Sequence, residues 1–315
     1  LGMGKNVSKS SLARANQDRD YHIFEEYAYY LVSEARQKCA NHIFKLGGNV
    51  YAFDSTTIDL CLSVFWWAKF RKKKGGIKVH TLYDVETQIP AFFHITEASV
   101  HDSKVMIEIP YEPSSYYIFD RGYNNFKILY KIHQIEAYFV VRAKKNLGYK
   151  SIQWKRRLPK NVLSDASVFL TGFYPKQYYP EPLRLVKYWD EEQEREFTFI
   201  TNAMHISALQ VAELYKNRWQ VELFFKWLKQ HLKIKRFWGT TENAVRIQIY
   251  AAICAYCLVA IIQHDMQLNR STYEVLQILS ISLTDKTHLR DLFDKTKFQN
   301  DKERFGPNGP RLFNF

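Results

Sequence analysis

The sequence predicts a mixed α/β fold, with an α/β core that is interrupted by a mostly-β insertion and followed by a helical C-terminal segment. Short apolar, strand-like runs follow one another between residues 50 and 96, and a strand–helix–strand pattern follows between 116 and 142. Residues 146–194 are rich in Tyr, Phe, Val, Pro and Gly and lack long helical periodicity. From residue 207 onwards, apolar residues recur at helical spacing.

The composition supports a large core and an acidic partner. The chain has 315 residues, of which 46% are hydrophobic. It carries 45 Lys and Arg against 32 Asp and Glu, which gives a net charge of +13. Nucleic acid is the commonest partner of so basic a protein. Aromatic residues make up 16% of the chain; some of them suit base stacking, although most are expected to fill the core.

The cysteine pattern favours a reducing compartment over a metal site. Cys254 and Cys257 form a CxxC inside the apolar run Ile249–Ile262, which predicts a buried helical pair. That run is shorter than the ~20 apolar residues of a membrane span. The sequence shows no signal peptide. We therefore predict a cytoplasmic protein without a membrane segment.

The first part of the chain reads as a helix followed by an antiparallel meander. Helical spacing predicts a helix over Asp20–Cys39. Strands are predicted at Val50–Ser55, Ile77–Val85 and Ala91–Thr96. Asp102 is predicted to cap a short helix.

The next part alternates strands and helices around the insertion. Tyr116–Asp120 and Ala137–Arg142 are predicted strands, with a helix over Asn125–His133 between them. After the insertion, Phe197–Thr201 resumes a buried strand, and Ser207 is expected to cap the helix that follows. This order fits a ribonuclease-H-like core, in which carboxylates from the first strand, a later strand and a final helix converge on one metal site.

The C-terminal part is predicted to be helical over Asn243–Gln267 and Ser271–Leu279 and to end in a disordered tail. This gives five segments. Residues 1–45 form an N-terminal helical segment, residues 46–145 the first part of the core, and residues 146–194 the β-rich insertion. Residues 195–290 form the rest of the core with the C-terminal helices, and residues 291–315 form the tail.

The helix after Ser207 carries the densest set of polar groups. If residues 214–233 form one helix at ~100° per residue, then Tyr215, Arg218 and Lys229 lie within about 40° of Glu222. An apolar stripe of Leu214, Val221, Phe225, Leu228 and Leu232 lies beside this arc. A carboxylate flanked by two cations and a phenol suits phosphoryl transfer on a polyanion. The alternative is a solvated face with an i,i+4 ion pair between Arg218 and Glu222.

Two aspartates stand at predicted strand ends. Asp54 follows the apolar run VYAF, and Asp120 follows YYIF and precedes Arg121-Gly122. With Glu222 they make a carboxylate set that could hold two ions, and hard oxygen ligands select Mg²⁺ or Mn²⁺. Aspartates are also common turn residues. From the residues alone, the competing acids are Asp59, Asp84 and Asp102.

The chain resembles the DDE transposases of bacterial insertion sequences, in the subgroup with a Y-R-E-K signature that is called the insertion-sequence-four family. The resemblance rests on Asp54-Ser55-Thr56, Asp120-Arg121-Gly122-Tyr123 and the tetrad Tyr215-x2-Arg218-x3-Glu222-x6-Lys229. It covers roughly residues 49–267. It implies that Asp54, Asp120 and Glu222 hold the metals and decides against the other acids.

The resemblance also implies what the other residues and the partners do. Tyr215, Arg218 and Lys229 would contact DNA phosphates near the transposon end, and water would cut the strand there. The freed 3′-OH would attack the opposite strand or the target, so the expected partners are the terminal inverted repeats and target DNA, bound by a homodimer. Trp154 and Trp189 are both candidates for holding a flipped base.

Two further expectations remain open at this point. Arg142, Lys144 and Lys145 either track the DNA backbone or form a solvated basic turn. Family members usually carry an N-terminal domain that recognises the inverted repeats, and the ~45 residues before the first core strand are too few for one. The alternatives to a transposase are a ribonuclease-H-like nuclease without strand transfer and a non-catalytic DNA-binding protein.

Overall fold

The computed structural model describes residues 8–40, 44–61, 63–71, 74–231, 237–270, 272–282 and 287–295. Its strands are β1 (Val50–Leu60), β2 (Lys69–Arg71), β3 (Lys74–Asp84), β4 (Ile89–Glu97), β5 (Tyr116–Phe119), β6 (Tyr138–Arg142), β7 (Tyr149–Trp154), β8 (Val162–Leu170), β9 (Leu183–Asp190) and β10 (Arg195–Thr201). Its helices are α1 (Lys9–Asp18), α2 (His22–Lys38), α3 (Asp102–Val105), α4 (Phe126–Gln134), α5 (Phe173–Tyr178), α6 (Ala208–Lys216), α7 (Trp219–His231), α8 (Glu242–Asp265), α9 (Thr272–Ser282) and α10 (Leu289–Lys295).

The described strands form one mixed sheet. Its order is β2-β3-β1-β5-β6-β10-β9-β8-β7, and β4 pairs with β3. β1, β3 and β4 are antiparallel neighbours, whereas β5 runs parallel to both β1 and β6. A meander followed by a strand–helix–strand unit is the arrangement that the sequence predicted, and the ribonuclease-H-like α/β core is confirmed.

Strand β1 lies at the centre of this core and is buried on both faces. Val50 and Ala52 point into a hydrophobic cluster shared with α2, α6, α7 and α8. Tyr51 and Phe53 point into a second cluster shared with α3 and α4. Successive side chains of a strand alternate between faces, so the helices on both sides hold the position of β1.

The insertion continues the core sheet. Strand β10 pairs with β6 on one side and with β9 on the other, and β8 and β7 follow outwards. The segment is mostly β, as predicted, but it also contains the short helix α5. Helix α5 was not predicted, because Gly172 and Pro175 are typical of loops, although proline is tolerated in the first turn of a helix.

A buried ion pair ties the insertion to the segment that leads into α6. The Arg184 guanidinium donates to both carboxylate oxygens of Asp165, at 2.7 and 2.8 Å. It also donates to the backbone carbonyls of Ala203 (3.3 Å) and Ile206. Both side chains are almost fully buried. The buried Arg184 charge is therefore compensated by Asp165 and by these carbonyls, and Lys155 Nζ also pairs with Asp165 at 3.1 Å.

The N-terminal helices pack on the core through α8. Asn243 Nδ2 donates to the carbonyls of Asn16 (3.0 Å) and Gln17 (3.2 Å) at the end of α1. The Tyr250 hydroxyl donates to Glu25 of α2. The described part of the predicted N-terminal segment is thus helical and continuous with the core.

Helix α8 (Glu242–Asp265) matches the predicted helix over Asn243–Gln267 and extends beyond the apolar run at both ends. Of the described helices it alone is long and apolar enough to cross a membrane, but half of its apolar window is buried against the protein. A long core helix gives the same result. Cys254 and Cys257 lie in α8 as buried, free thiols, which confirms the predicted buried pair. The predicted tail boundary at residue 291 falls inside α10, and residues 296–315 lie outside the described ranges.

We expect Asp165→Asn to destabilise the protein strongly, by about 3–5 kcal/mol, because it leaves the buried Arg184 cation unpaired. Burial alone would raise the pKa of Asp165, but hydrogen bonds from Arg184 and Lys155 lower it below its usual value. The stabilisation is therefore present above the ordinary Asp pKa of ~3.9 and is lost as pH falls through the lower folded-state pKa. Urea unfolding at neutral and at acidic pH measures both effects.

The control is Glu191→Gln, which removes the exposed Lys160–Glu191 pair of the same insertion. Solvent screens that pair, so little change is expected. Equal losses in the two variants at neutral pH would contradict the structural role of the Asp165–Arg184 pair.

Candidate active site

Asp54 and Asp120 lie side by side on one face of the sheet. Phe53 of β1 pairs in parallel register with Phe119 of β5, and the two aspartates are the next residues. Asp120 ends its strand, as predicted. The prediction was wrong for Asp54, because β1 continues for six residues beyond it, to Leu60. Sequence reasoning took the change from apolar to polar side chains for the end of the strand.

The predicted single helix is two helices with a break at Asn217 and Arg218. The Asn217 backbone N–H is shared between the carbonyls of Glu213 and Leu214, and its side-chain amide also donates to the Glu213 carbonyl, at 2.9 Å. Such local bonds compete with helical continuation. Ser207 and Gln210 form a capping box at the start of α6, which confirms the predicted cap. The angles that were calculated for one continuous helix therefore do not describe how Tyr215 is placed relative to Glu222 and Lys229.

Two side chains around this break, those of Tyr215 and Arg218, reach the strand aspartates. The Tyr215 hydroxyl donates to Asp120 Oδ1 at 2.8 Å. Arg218 donates through Nη1 to Asp54 Oδ2 at 2.7 Å and through Nη2 to Glu222 Oε1 at 2.6 Å. The i,i+4 ion pair between Arg218 and Glu222 therefore exists, but the Arg218 side chain is only 16% exposed and also binds Asp54. The pair is part of a tertiary cluster and not a solvated helix face.

The pKa values of the two aspartates are shifted in opposite directions. Burial raises the pKa of Asp54 to about 6, against the opposing effect of Arg218. Burial also acts on Asp120, but the Arg121 backbone N–H and the Tyr215 hydroxyl outweigh it and lower the pKa of Asp120. Burial, followed by the Asp120 charge, raises the pKa of Tyr215 to about 12. At neutral pH, Tyr215 therefore keeps its proton and donates it in the hydrogen bond to Asp120.

A family model described as the transposase DDE domain matches residues 45–258. A protein of Sinorhizobium fredii named as a transposase is 37% identical over 246 residues, which cover 76% of this chain and 67% of the relative. The chain belongs to the DDE transposase family. Two insertion-sequence proteins named as transposases are also similar. One, from Geobacillus stearothermophilus, is 27% identical over 79% of this chain and 66% of its own length. The other, from Synechocystis, is 25% identical over 90% of this chain and 80% of its own length.

This DDE transposase spans about two thirds of the length of the first two relatives. The family generally uses divalent metal ions, and its activity is DNA strand cleavage and transesterification. Asp54, Asp120 and Glu222 offer the hard oxygen ligands that such ions prefer. Within the described ranges, however, no three side chains of His, Cys, Asp or Glu lie close enough together to hold an ion. Arg218 bonds to both Asp54 and Glu222 in this arrangement.

Asp54 makes further polar contacts in the transposase that were not predicted from the sequence. The Ser55 backbone N–H donates to Asp54 Oδ1 at 2.8 Å, and the Tyr123 hydroxyl lies 3.4 Å from the same oxygen. The Ser55 hydroxyl donates to Asp102 Oδ1 at 2.8 Å, and Lys78 Nζ lies 3.0 Å from that oxygen. Strand alternation was the available signal, since it turns Ser55 to the face opposite Asp54.

Asp102 is therefore a structural partner on the opposite side of the sheet. The prediction that it caps α3 was wrong, because His101 is the cap and accepts from the Ser103 backbone N–H. Among the other competing acids, Asp84 is paired with Arg36 and Asp59 is exposed on β1.

The other residues that were predicted to contact DNA lie on α7, at the end of β6 and in the segment after β6. Lys229 is half-buried on α7, seven residues and thus about 10 Å beyond Glu222 along the helix. Arg142 ends β6, and its guanidinium stacks on Phe197 at 4.9 Å. Lys144 and Lys145 are exposed and line a cavity of about 590 Å³ together with Asp120.

Trp154 and Trp189 are both exposed on the insertion. Trp154 is the last residue of β7, and Trp189 is the last but one of β9. Trp154 pairs with Ala166, Ala166 pairs with Leu185, and Trp189 is four residues beyond Leu185 on the same strand. This register places both rings on one face of the sheet. It favours neither over the other as a base-stacking residue.

We expect Tyr215→Phe to raise the pKa of Asp120, because the lost hydroxyl stabilises the charged carboxylate. Titration of ¹³C-labelled aspartate carboxyls by NMR measures this directly. The control is Tyr188→Phe, which removes a hydroxyl from β9 and leaves the Asp120 contact in place. An unchanged Asp120 pKa in Tyr215→Phe would show that the hydroxyl does not tune this carboxylate.

Proposed function

We propose that the protein cleaves DNA at transposon ends in a metal-dependent reaction and joins the freed end to target DNA. The observation that supports this most strongly is the arrangement of its three acids. Asp54 and Asp120 adjoin each other on parallel strands, and Arg218 links Asp54 to Glu222. Acids that are distant in sequence are thus connected through the Asp54–Asp120 pairing and through Arg218, beside basic cavities.

In this proposal, Asp54, Asp120 and Glu222 hold two Mg²⁺ or Mn²⁺ ions. When bound, such ions activate the attacking oxygen and neutralise the leaving oxygen of an in-line displacement. The three side chains fit the ions by donor chemistry. Tyr215 holds Asp120 in its ionised form, and Ser55 orients Asp54 through its backbone N–H.

Arg218 has two roles in this proposal. Without metal, it is the counter-charge that allows Asp54 and Glu222 to lie near each other in a partly buried site. Once other positive charges neutralise the carboxylates, its guanidinium is available to a DNA phosphate, for which its fork of N–H donors is suited. This exchange accounts for a structure in which an arginine contacts the same carboxylates that would bind metal.

The proposed DNA contacts follow from exposure. Lys229, Arg142, Lys144 and Lys145 would bind phosphates as partly or fully exposed cations. Tyr215 was predicted to contact phosphate as well, but its ring is buried against Phe199 and its hydroxyl donates to Asp120. We therefore assign Tyr215 to the positioning of Asp120.

The proposed partners are duplex DNA with terminal inverted repeats, target DNA and a second copy of the chain on the paired ends. The site of action would be the bacterial cytoplasm, at the nucleoid. Transposases act on DNA, and the net charge of +13 is consistent with such a partner.

We expect Asp54→Ala and Glu222→Ala to reduce cleavage of the element's own ends by more than about 100-fold, since even outer partners of a metal ligand cost roughly 10–100-fold. The assay follows strand cleavage and joining with and without Mg²⁺. Asp59→Ala is the matched control, because it removes an exposed acid from the same strand as Asp54. Equal activity of Asp54→Ala and Asp59→Ala would refute the site assignment.

The same assay separates the alternative functions. Nicking without joining would indicate a nuclease of the same fold. Salt-dependent binding that neither metal nor Asp120→Asn alters, together with the absence of cleavage, would indicate a DNA-binding protein.

A further inference from the structure

A second basic cavity lies next to the carboxylates, on the side of the insertion. It has a volume of about 420 Å³ and is lined by the segment after β6 and by β9 and β10. Six of its twelve lining residues are Lys or Arg and one is Glu. The six cations are Arg121, Arg142, Lys144, Lys145, Lys187 and Arg195.

The positive charge of this cavity is largely uncompensated. Lys187 lies 3.6 Å from Glu196. In the parts of the chain that the structure describes, none of the other five cations has a carboxylate at ion-pair distance. The positive charges that line one cavity repel one another. A cluster of this kind is stabilised by an anionic ligand, and it focuses a positive potential into the cavity.

Part of the cavity wall is held rigidly. The guanidinium groups of Arg142 and Arg195 both stack on the Phe197 ring, at 4.9 and 4.4 Å from its centroid. Phe197 is itself buried and packs on Phe199 and Tyr215. Stacking fixes the plane of an arginine and leaves its N–H edge available for the oxygens of a phosphate.

Arg121 lies between this cavity and the neighbouring one and has one unpaired nitrogen. Its Nε is buried and has no hydrogen-bond partner among the described residues. Buried polar groups are normally paired, and an unpaired one is costly. The side chain lines the wall of this cavity and also of the neighbouring cavity that contains Asp120.

The two cavities are neighbours and share part of their wall. Arg121, Lys144 and Lys145 line both of them, with Asp120 at one end and Lys187 and Arg195 at the other. An extended nucleic-acid strand with one phosphate at Asp120 therefore meets further cations in the direction of β9 and β10.

We propose that this cavity binds the phosphodiester backbone of the DNA strand that occupies the active site, with Lys187 and Arg195 of β9 and β10 as phosphate ligands. This inference rests on the proposed function and adds a direction to it, because the strand leaves Asp120 towards the insertion and not only along α7. It also gives the sheet-bound insertion a role in holding the substrate.

The test compares two double variants that lose the same charge. Lys187→Gln with Arg195→Gln removes the two proposed phosphate ligands, whereas Lys131→Gln with Lys176→Gln removes two lysines of α4 and α5 that line neither cavity. The probes are one arbitrary sequence as a labelled duplex and as a labelled single strand. Fluorescence anisotropy in EDTA gives Kd over a range of salt concentrations, independently of any cleavage.

We expect the cavity variant to reduce the slope of log K against log salt by about 1.5, since each neutralised phosphate contributes roughly 0.7–0.9. At moderate salt its Kd should rise by about 10-fold or more, while the control pair changes the slope by less than about half as much. An effect on both probes indicates contacts to a single strand, and an effect on the duplex alone indicates contacts that need both strands. Either outcome supports the proposal.

Equal shifts in the two double variants would overturn it, because the cavity would then act only as general surface charge. Thermal unfolding of all variants shows whether a loss of binding reflects a loss of fold. If the cavity variant loses binding but the wild type neither cuts nor joins DNA, the proposed function fails while the phosphate site stands.

Discussion

The parallel pairing of β1 with β5 is the constraint on which the rest of the site depends. It aligns Phe53 with Phe119 and so places Asp54 next to Asp120 on one face of the sheet. A slip of one residue would turn one of the two carboxylates to the other face. Burial of β1 and β5 on both faces opposes such a slip, since apolar side chains on each side would lose their contacts.

The charge of the site is balanced by groups from elsewhere in the chain. Arg218 bonds to Asp54 and Glu222, and Tyr215 bonds to Asp120, so each carboxylate has a donor. Burial nevertheless keeps the pKa of Asp54 raised. A site of this kind holds concentrated negative charge at a cost, and positive ligands relieve that cost. The contacts of Arg218 with two carboxylates and the metal-dependent chemistry of the family therefore both supply positive charge to this site.

The insertion matters because it is bonded to the core. Strand β10 joins β6 to β9 without interruption, and the Asp165–Arg184 pair ties β8 and β9 to the segment before α6. The basic residues of β9 and β10 consequently have fixed positions relative to Asp120. A flexibly linked domain with the same composition would supply charge but not a defined path for a strand.

The sequence by itself determined the order and type of most elements and the burial of the cysteine pair, whereas the choice of Asp54, Asp120 and Glu222 among the acids rests on the family resemblance and stays a prediction. Periodicity, capping residues and the spacing of Tyr215, Arg218 and Glu222 are local properties, so they can be read without a fold. Only the tertiary structure decided that β1 runs past Asp54, that the signature helix breaks at Asn217, and that Asp102 pairs with Lys78. The decisive contacts join residues far apart in the chain, as Arg218 and Asp54 are separated by 164 positions. Local propensity carries no information about such contacts, because packing in three dimensions selects them.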